Sequence, residues 1–327
     1  MASSIIRNSL KSINSQLLRT LTTHRRPFNV AAANTTSTAT ADQSDSFTFS
    51  SDGGDSNIHL RPDTKETKSS VTMPMSFMTG SVVGKRFYKK VTTREADDGN
   101  GWSVMLDYRT LKTPTKRPLK LPTLSLAKAI AAEWDFQQTD GIRPFTMPLM
   151  KLACTALERV PVTRPKIIDN LMSKFNQDLV FCRAPKDNDL TRGVYERQVE
   201  KIDPLLKWLE SEFGYKPIVY SSFFGGKQDD GLVKAIECIL KRADDCELAA
   251  IDALTASAHS LTIAIAVIRG RLDIEEAIEL IRLEEDLQVD KWGLVEGGHD
   301  VDVADLKVQI ASAAVFLGLS RNAQVSI

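Results

Sequence analysis

KRFYKKVTTREADDGNGWSVMLDYRTLKTPTKRPLKLPTLSLAKAIAAEWDFQ, residues 85–137, contains the change of hydrophobic period that decides the fold. KRFYKKVTT (85–93) and WSVMLDYRT (102–110) are rich in β-forming residues, and the turn-forming DDGNG between them predicts a hairpin. Pro114, Pro118 and Pro122 interrupt the run that follows and permit only short edge strands, so a small antiparallel sheet is expected here. Beyond Pro122 the apolar residues recur with a period of 3.6. Thr123 caps a helix that carries Leu126, Ala127, Ile130 and Trp134 on one face, with Gly141 as its stop ahead of Pro144.

The helical period then continues almost to the end of the chain. Helices are expected at 147–159, 164–180, 191–213, 230–242, 245–269, 274–291 and 302–318, with YKPIVYSSFF (215–224) as the one strand-like run, closed by Gly225 and Gly226. The fold class is therefore α+β: a small antiparallel β-rich N-terminal domain over 85–146, then a mainly α-helical C-terminal domain over 147–327. The helical part has roughly 180 residues, enough to bury its own core. ALTASAHSLTIAIAVI (253–268) is too short and too rich in hydroxyls to span a bilayer, and reads as a buried core helix opened by an Asp244–Glu247 capping box. His259 within it reads as a hydrogen-bonded core histidine.

Upstream of the sheet the chemistry is different. Residues 1–41 hold Arg7, Lys11, Arg19, Arg25 and Arg26 and no acid, while Ile6, Leu10, Ile13 and Leu17 form one helical stripe. A basic, amphipathic, hydroxyl-rich and acid-free leader has the features of a mitochondrial transit peptide, assigned here to residues 1–30. The next stretch, 31–84, is dominated by Ser, Thr, Asp and Gly and reads as a disordered spacer.

Composition excludes several classes of function. Removing the leader's five cations leaves 37 basic against 42 acidic residues, so the body exerts no general pull on nucleic acid. Cys154, Cys182, Cys238 and Cys246 lack C-x-x-C pairing and zinc-ligand spacing, which argues against a metal site or a disulfide framework. GSVVGKR (80–86) has three residues between its glycines where a phosphate loop needs four, and Arg86 where a magnesium-binding hydroxyl belongs. No G-x-S-x-G, H-E-x-x-H or G-x-G-x-x-G occurs, and four histidines leave little for acid–base work. No cofactor is implied and the enzyme reading is weak.

The helix from Ile274 is the most informative segment. Asp273 and Glu276 form a capping box, Ile274, Ile278 and Ile281 fall on one stripe, and Leu280, Leu283 and Leu287 fall nearly opposite. A helix apolar on two sides is expected to be sandwiched inside the domain. Continuing the isoleucine stripe leads to Glu285, Gln288 and Trp292, which puts a carboxylate and an amide where aliphatics belong. Glu285 then requires either an internal partner such as Arg269 or Arg271, or a surface on which it is used.

KRFYKKV, LDYRTLKTP, LPTLSLAKAIAAEWDFQ, MPLMKLACTALERV, DPLLKWLESEFG and LEEDLQVDKWG, taken in order over residues 85–318, resemble the ATP synthase assembly chaperone family called ATP-twelve. The resemblance implies a mitochondrial matrix protein that binds the free alpha subunit of the ATP synthase catalytic sector until the beta subunit replaces it, with no cofactor. It implies a β-containing N-terminal part and a helical C-terminal part. The family's acidic motif matches Glu285, Gln288, Trp292 and Gly293, which become the candidate partner-binding residues, with Glu133 and Gln137 as a second polar contact. Trp134 reads as core. Asp107 and Arg109 in LDYRTLKTP read as turn and hairpin structure. A matrix adaptor or small-ligand-binding protein that uses the polar pocket near Glu285 is the alternative.

Overall fold

Thr123 begins the first long helix as expected, its hydroxyl accepting Leu126 N at 3.1 Å. In the computed structural model the described residues are 70–187, 191–221, 226–293 and 299–321. All of them fall in one of the chain's two compact units, Ser46–Ile327. The leader and the first part of the spacer, up to residue 69, lie outside the described residues.

The sheet has four strands, β1 (Ser70–Thr72), β2 (Val91–Glu95), β3 (Trp102–Leu106) and β4 (Arg109–Lys112), in the order β1-β4-β3-β2. The hairpin is present, with Thr93 opposite Val104, and β3 turns back into β4 with Met105 opposite Thr110. That second turn is made by Asp107, whose φ is 55°. Aspartate tolerates this left-handed conformation, and its carboxylate accepts Lys89 N at 3.0 Å and Lys90 N at 2.8 Å. Tyr108 follows it without a left-handed φ of its own. Gly101, at φ 102°, is needed because a Cβ there would lie 2.6 Å from the Leu121 carbonyl oxygen.

β1 was not expected. It pairs parallel with β4, Val71 opposite Leu111, and makes the sheet mixed. Its residues belong to the stretch read as spacer, but Val71 and Met73 are 1% exposed and Phe77, in the short helix α1 (Ser76–Thr79), is fully buried. Averaging composition over 31–84 concealed a locally apolar run, VTMPMSF, at its end.

The remaining elements are helical. α2 (Leu124–Asp135) covers β2 and β3 and buries Leu126, Ala127, Ile130 and Trp134. It stops six residues before Gly141, with Phe136 as its C-cap. Trp134 is core: its ring stacks on Phe77 at 6.0 Å and meets Tyr88 edge-on at 5.8 Å. A 3-10 turn, Pro144–Thr146, leads into α3 (Pro148–Cys154), which runs through a π stretch, Thr155–Arg159, into α4 (Val160–Asn176). The two helices expected at 147–159 and 164–180 are thus one continuous run, kinked at Thr163 (φ −120°) ahead of Pro165.

α5 (Arg192–Phe213) and α6 (Asp230–Arg242) follow. The strand expected at 215–224 is not formed by its described residues. Tyr220 makes a single parallel bridge to Cys182, and residues 222–225 lie outside the described set.

The helix expected over 245–269 is two helices, α7 (Asp245–Ala258) and α8 (Leu261–Ile268). His259 between them is exposed with φ 52°, so the reading of a core histidine is overturned. The break comes from Asp178, a wholly buried carboxylate that accepts Ser260 Oγ and Thr262 N at 2.9 Å each. Ser260 in turn caps α8 through Ile263 N at 3.1 Å. Asp244 caps α7 as expected, at 2.7 Å to Glu247 N, but the Glu247 carboxylate turns away to Arg321 at 2.7 Å.

α9 (Ile274–Ile281), α10 (Leu283–Trp292) and α11 (His299–Ser320) complete the fold. α11 packs along α7 and reaches α3 and α2. Within it Asp300–Ser320 is long and apolar enough to cross a membrane, at mean hydropathy 1.4, and Ile310, Ala313, Phe316 and Leu317 are buried against the rest of the protein. Near its end the Leu319 carbonyl accepts the Thr123 hydroxyl, which ties the last helix to the start of α2. One hydrophobic cluster extends from Met73 to Leu317, without a seam between the sheet and the helices.

Candidate interaction surface

The capping box at the start of α9 is formed in both directions, Asp273 accepting Glu276 N at 2.8 Å and Glu276 accepting Asp273 N at 3.0 Å. The regular helix expected over 274–291 does not follow. At Arg282 the backbone leaves the helical region (φ −94°, ψ 4°), and α10 starts again with Leu283. The phase of the stripe is reset there, so the sandwiched helix expected over 274–291 is overturned. α9 buries Ala277 and Ile278 against α7, α8 and α11, while Leu283 alone is buried in α10.

α10 is held to α5 through polar contacts. Gln198, 5% exposed, donates to Glu284 at 3.0 Å, and Arg197 reaches Asp290 at 3.3 Å. Arg282 has its stem buried and its guanidinium forked between Glu285 at 2.8 Å and Asp286 at 3.0 Å. Glu284, Glu285 and Asp286 also sit in the first turn, where carboxylates suit the positive end of the helix dipole. Glu285 therefore does have a cationic partner, but it is Arg282. Arg269 instead faces Glu212 at 3.5 Å.

Glu285, Gln288 and Trp292 stand at i, i+3 and i+7 along α10 and all three are exposed, Trp292 by 73%. This spacing puts them on one side of the helix. Gly293, also exposed, ends it at φ 82° and donates its N–H to Val289 O at 2.8 Å. The result is an accessible ridge with an acidic start, an amide and an indole.

Glu133 and Gln137 occupy a different place, on and just beyond α2. The Glu133 carboxylate accepts Leu149 N and Met150 N at 2.8 Å each, which satisfies the first turn of α3. Burial outweighs those bonds and pushes its pKa up to about 7. Gln137, 6% exposed, donates to Glu133 O and Thr146 Oγ1 and accepts Arg143 N at 2.7 Å. Both side chains thus clamp the 143–150 segment to α2, yet they also line an open cavity of about 310 Å³ beside Phe136 and Arg143. Phe136 is 83% exposed. Sequence reasoning missed it, although it lies 200° round the helix from the buried Trp134. Arg282, Gln198 and Glu284 were missed as well, because their partners are set by the break in the helix.

Residues 85–210 match the family model described as ATP12 chaperone protein. The chain is 26% identical over 243 residues to Protein atp12, mitochondrial, of Schizosaccharomyces pombe, covering 71% of this chain and 81% of that one. It is 22% identical over 274 residues to Protein ATP12, mitochondrial, of Saccharomyces cerevisiae, covering 72% and 84%. The crystal structure of Atp12 from Paracoccus denitrificans superposes with a TM-score of 0.66 at 32% identity, over 72% of this chain and 98% of that one. A match of that identity across nearly the whole of a solved relative, with the family model on the sheet and first helices, places the chain in the ATP12 chaperone family.

Proposed function

We propose that the protein is a chaperone for assembly of the mitochondrial ATP synthase catalytic sector, acting in the matrix by binding the unassembled alpha subunit until the beta subunit takes its place. The observation that carries the reading, beside membership of the family, is the exposed ridge of Glu285, Gln288, Trp292 and Gly293 on α10. Trp292 at 73% exposure is a large apolar side chain of the kind that anchors protein interfaces. A free subunit of an oligomeric enzyme exposes apolar interface, and covering that surface opposes self-association. Release needs no chemistry: a partner that binds the same surface more tightly displaces the chaperone by mass action. Glu285 and Gln288 provide polar contacts that such a surface requires at its rim.

The test is capture of purified alpha subunit by the full chain, with Glu285→Gln and Trp292→Ala compared with wild type. Recovery of alpha subunit, its release on addition of beta subunit, and weaker capture by both variants are expected. Equal capture by the variants removes the ridge from the interface. Failure of wild type to capture alpha subunit, with a small molecule co-purifying instead, favours the ligand-binding reading.

A further inference from the structure

A further cavity among the described residues is neither on the α10 ridge nor beside Glu133. It has a volume of about 520 Å³ and lies where α5, α6 and α8 end, against α7. Ile239, Ile251, Ile265, Ile268 and Phe213 give it an apolar floor. Its rim is mainly cationic, with Arg242, Arg269 and Arg321. Two of these are matched inside the chain: Arg269 faces Glu212 at 3.5 Å and Arg321 holds Glu247 at 2.7 Å.

Arg242 is exposed and has no ion-pair or hydrogen-bond partner among the described residues. Arginines at helix ends often serve the terminal carbonyls. At this end that task falls to Arg164, whose guanidinium donates to the carbonyls of Lys241 and Ala243 and pairs with Asp245 at 2.8 Å. Arg242 is left over, at the edge of an apolar floor. A side chain of this type seeks a carboxylate, best in a fork geometry.

We propose that this cavity docks an amphipathic, carboxylate-bearing helix of the bound client, whose apolar face fills the isoleucine floor while its acid pairs with Arg242. The inference rests on the chaperone reading and adds a second contact region with a stated chemistry. Apolar anchors at i, i+3 and i+4 entering a groove are a recurrent mode of helix recognition. The rim carries both signs, since Glu247 lines it among the arginines and Glu212 pairs with Arg269 beside it, and this suits a peptide with mixed side chains better than a lipid with one anionic head. The chain's own leader does not fit, because residues 1–41 hold five cations and no acid and would meet like charge.

Cys238 provides the readout, being an exposed free thiol on the cavity wall. The rate of its alkylation by N-ethylmaleimide, followed by peptide mass spectrometry, is compared in the free full chain and in its complex with ATP synthase alpha subunit. Slowing of tenfold or more in the complex is expected. Arg242→Glu should weaken the complex about tenfold, while Lys128→Glu, an exposed charge reversal on α2, leaves it unchanged. A complex that forms with Cys238 alkylated at the free rate, or that tolerates Arg242→Glu, overturns this inference alone. Absence of any complex removes the client reading together with it. Protection of Cys238 by phosphatidylglycerol vesicles but not by alpha subunit assigns the cavity to lipid and also overturns the proposal.

Discussion

Arg282 and Glu285 are joined at 2.8 Å across the point where two helices meet, the arginine stem buried and the carboxylate 68% exposed. This asymmetry separates structure from surface. Glu285→Gln removes an exposed partner and should change stability by less than about 0.5 kcal/mol. Arg282→Ala strips a buried stem and leaves Glu285 and Asp286 facing each other without their cation, which should cost about 1–2 kcal/mol. Urea denaturation of the two variants measures the contrast. It also establishes whether any loss of client binding by Glu285→Gln is independent of folding.

Glu133 makes stability depend on pH. Its folded pKa, about 7, lies above the ordinary value of 4.5, so between those two pH values the folded state holds the proton more firmly than the unfolded chain. The contribution is fully present below about pH 4.5 and is lost as pH rises through 7. Relative to Glu133→Gln, which does not titrate, wild type should lose up to about 3 kcal/mol across that window and then level off. Denaturation of both proteins at pH 5, 6, 7 and 8 gives the difference. A flat difference would mean that the two backbone N–H bonds from α3 hold the anion better than burial disfavours it.

The N-terminal boundary of the fold can be tested by truncation. A chain beginning at Ser70 retains β1, Met73 and Phe77, whereas one beginning at residue 82 loses the strand beside β4 and the ring stacked on Trp134 at 6.0 Å. Loss of a buried aromatic alone costs about 3–5 kcal/mol. The shorter chain should therefore melt much earlier or fail to give a cooperative transition by circular dichroism, and the longer one should melt like the full chain.

Gly101→Ala places a methyl 2.6 Å from the Leu121 carbonyl oxygen at a residue with φ 102°. Both the contact and the backbone conformation oppose it, and a loss of about 2–4 kcal/mol is expected. Gly99→Ala is the comparison, because nothing lies within 4 Å of its added Cβ. The difference between the two melting curves isolates the close approach of the hairpin to Leu121.

What could be read from the sequence was local. DDGNG marked the first hairpin, Thr123 and Asp273 marked the starts of α2 and α9, and the 3.6 period put Trp134 in the core. What could not be read depended on residues far apart in the chain. α7 stops at Ala258 because Asp178, 82 positions upstream of Ser260, binds the first turn of α8; by period alone, 245–269 is one helix. β1 is three residues long and takes its meaning from β4, some forty positions away. The candidate site was found in part for a reason that did not survive. Glu285 stood out as a polar break in a buried stripe, but the helix bends at Arg282 and the break is a surface. Glu133 and Gln137 were named as a second polar contact, and their backbone partners at Arg143, Leu149 and Met150 were beyond any periodicity.

Thr123 and Leu319 lie 196 positions apart and are bonded to each other. α11 also packs on α7, α3 and α2, so a helix synthesised after every other described element is needed to close surfaces formed by the earlier ones. A chain delivered N-terminus first would leave the faces of α2, α3 and α7 that meet α11 uncovered until α11 had emerged. Completion of this fold is consequently a late event, and until then the protein is itself a molecule with uncovered apolar surface that other chaperones would recognise.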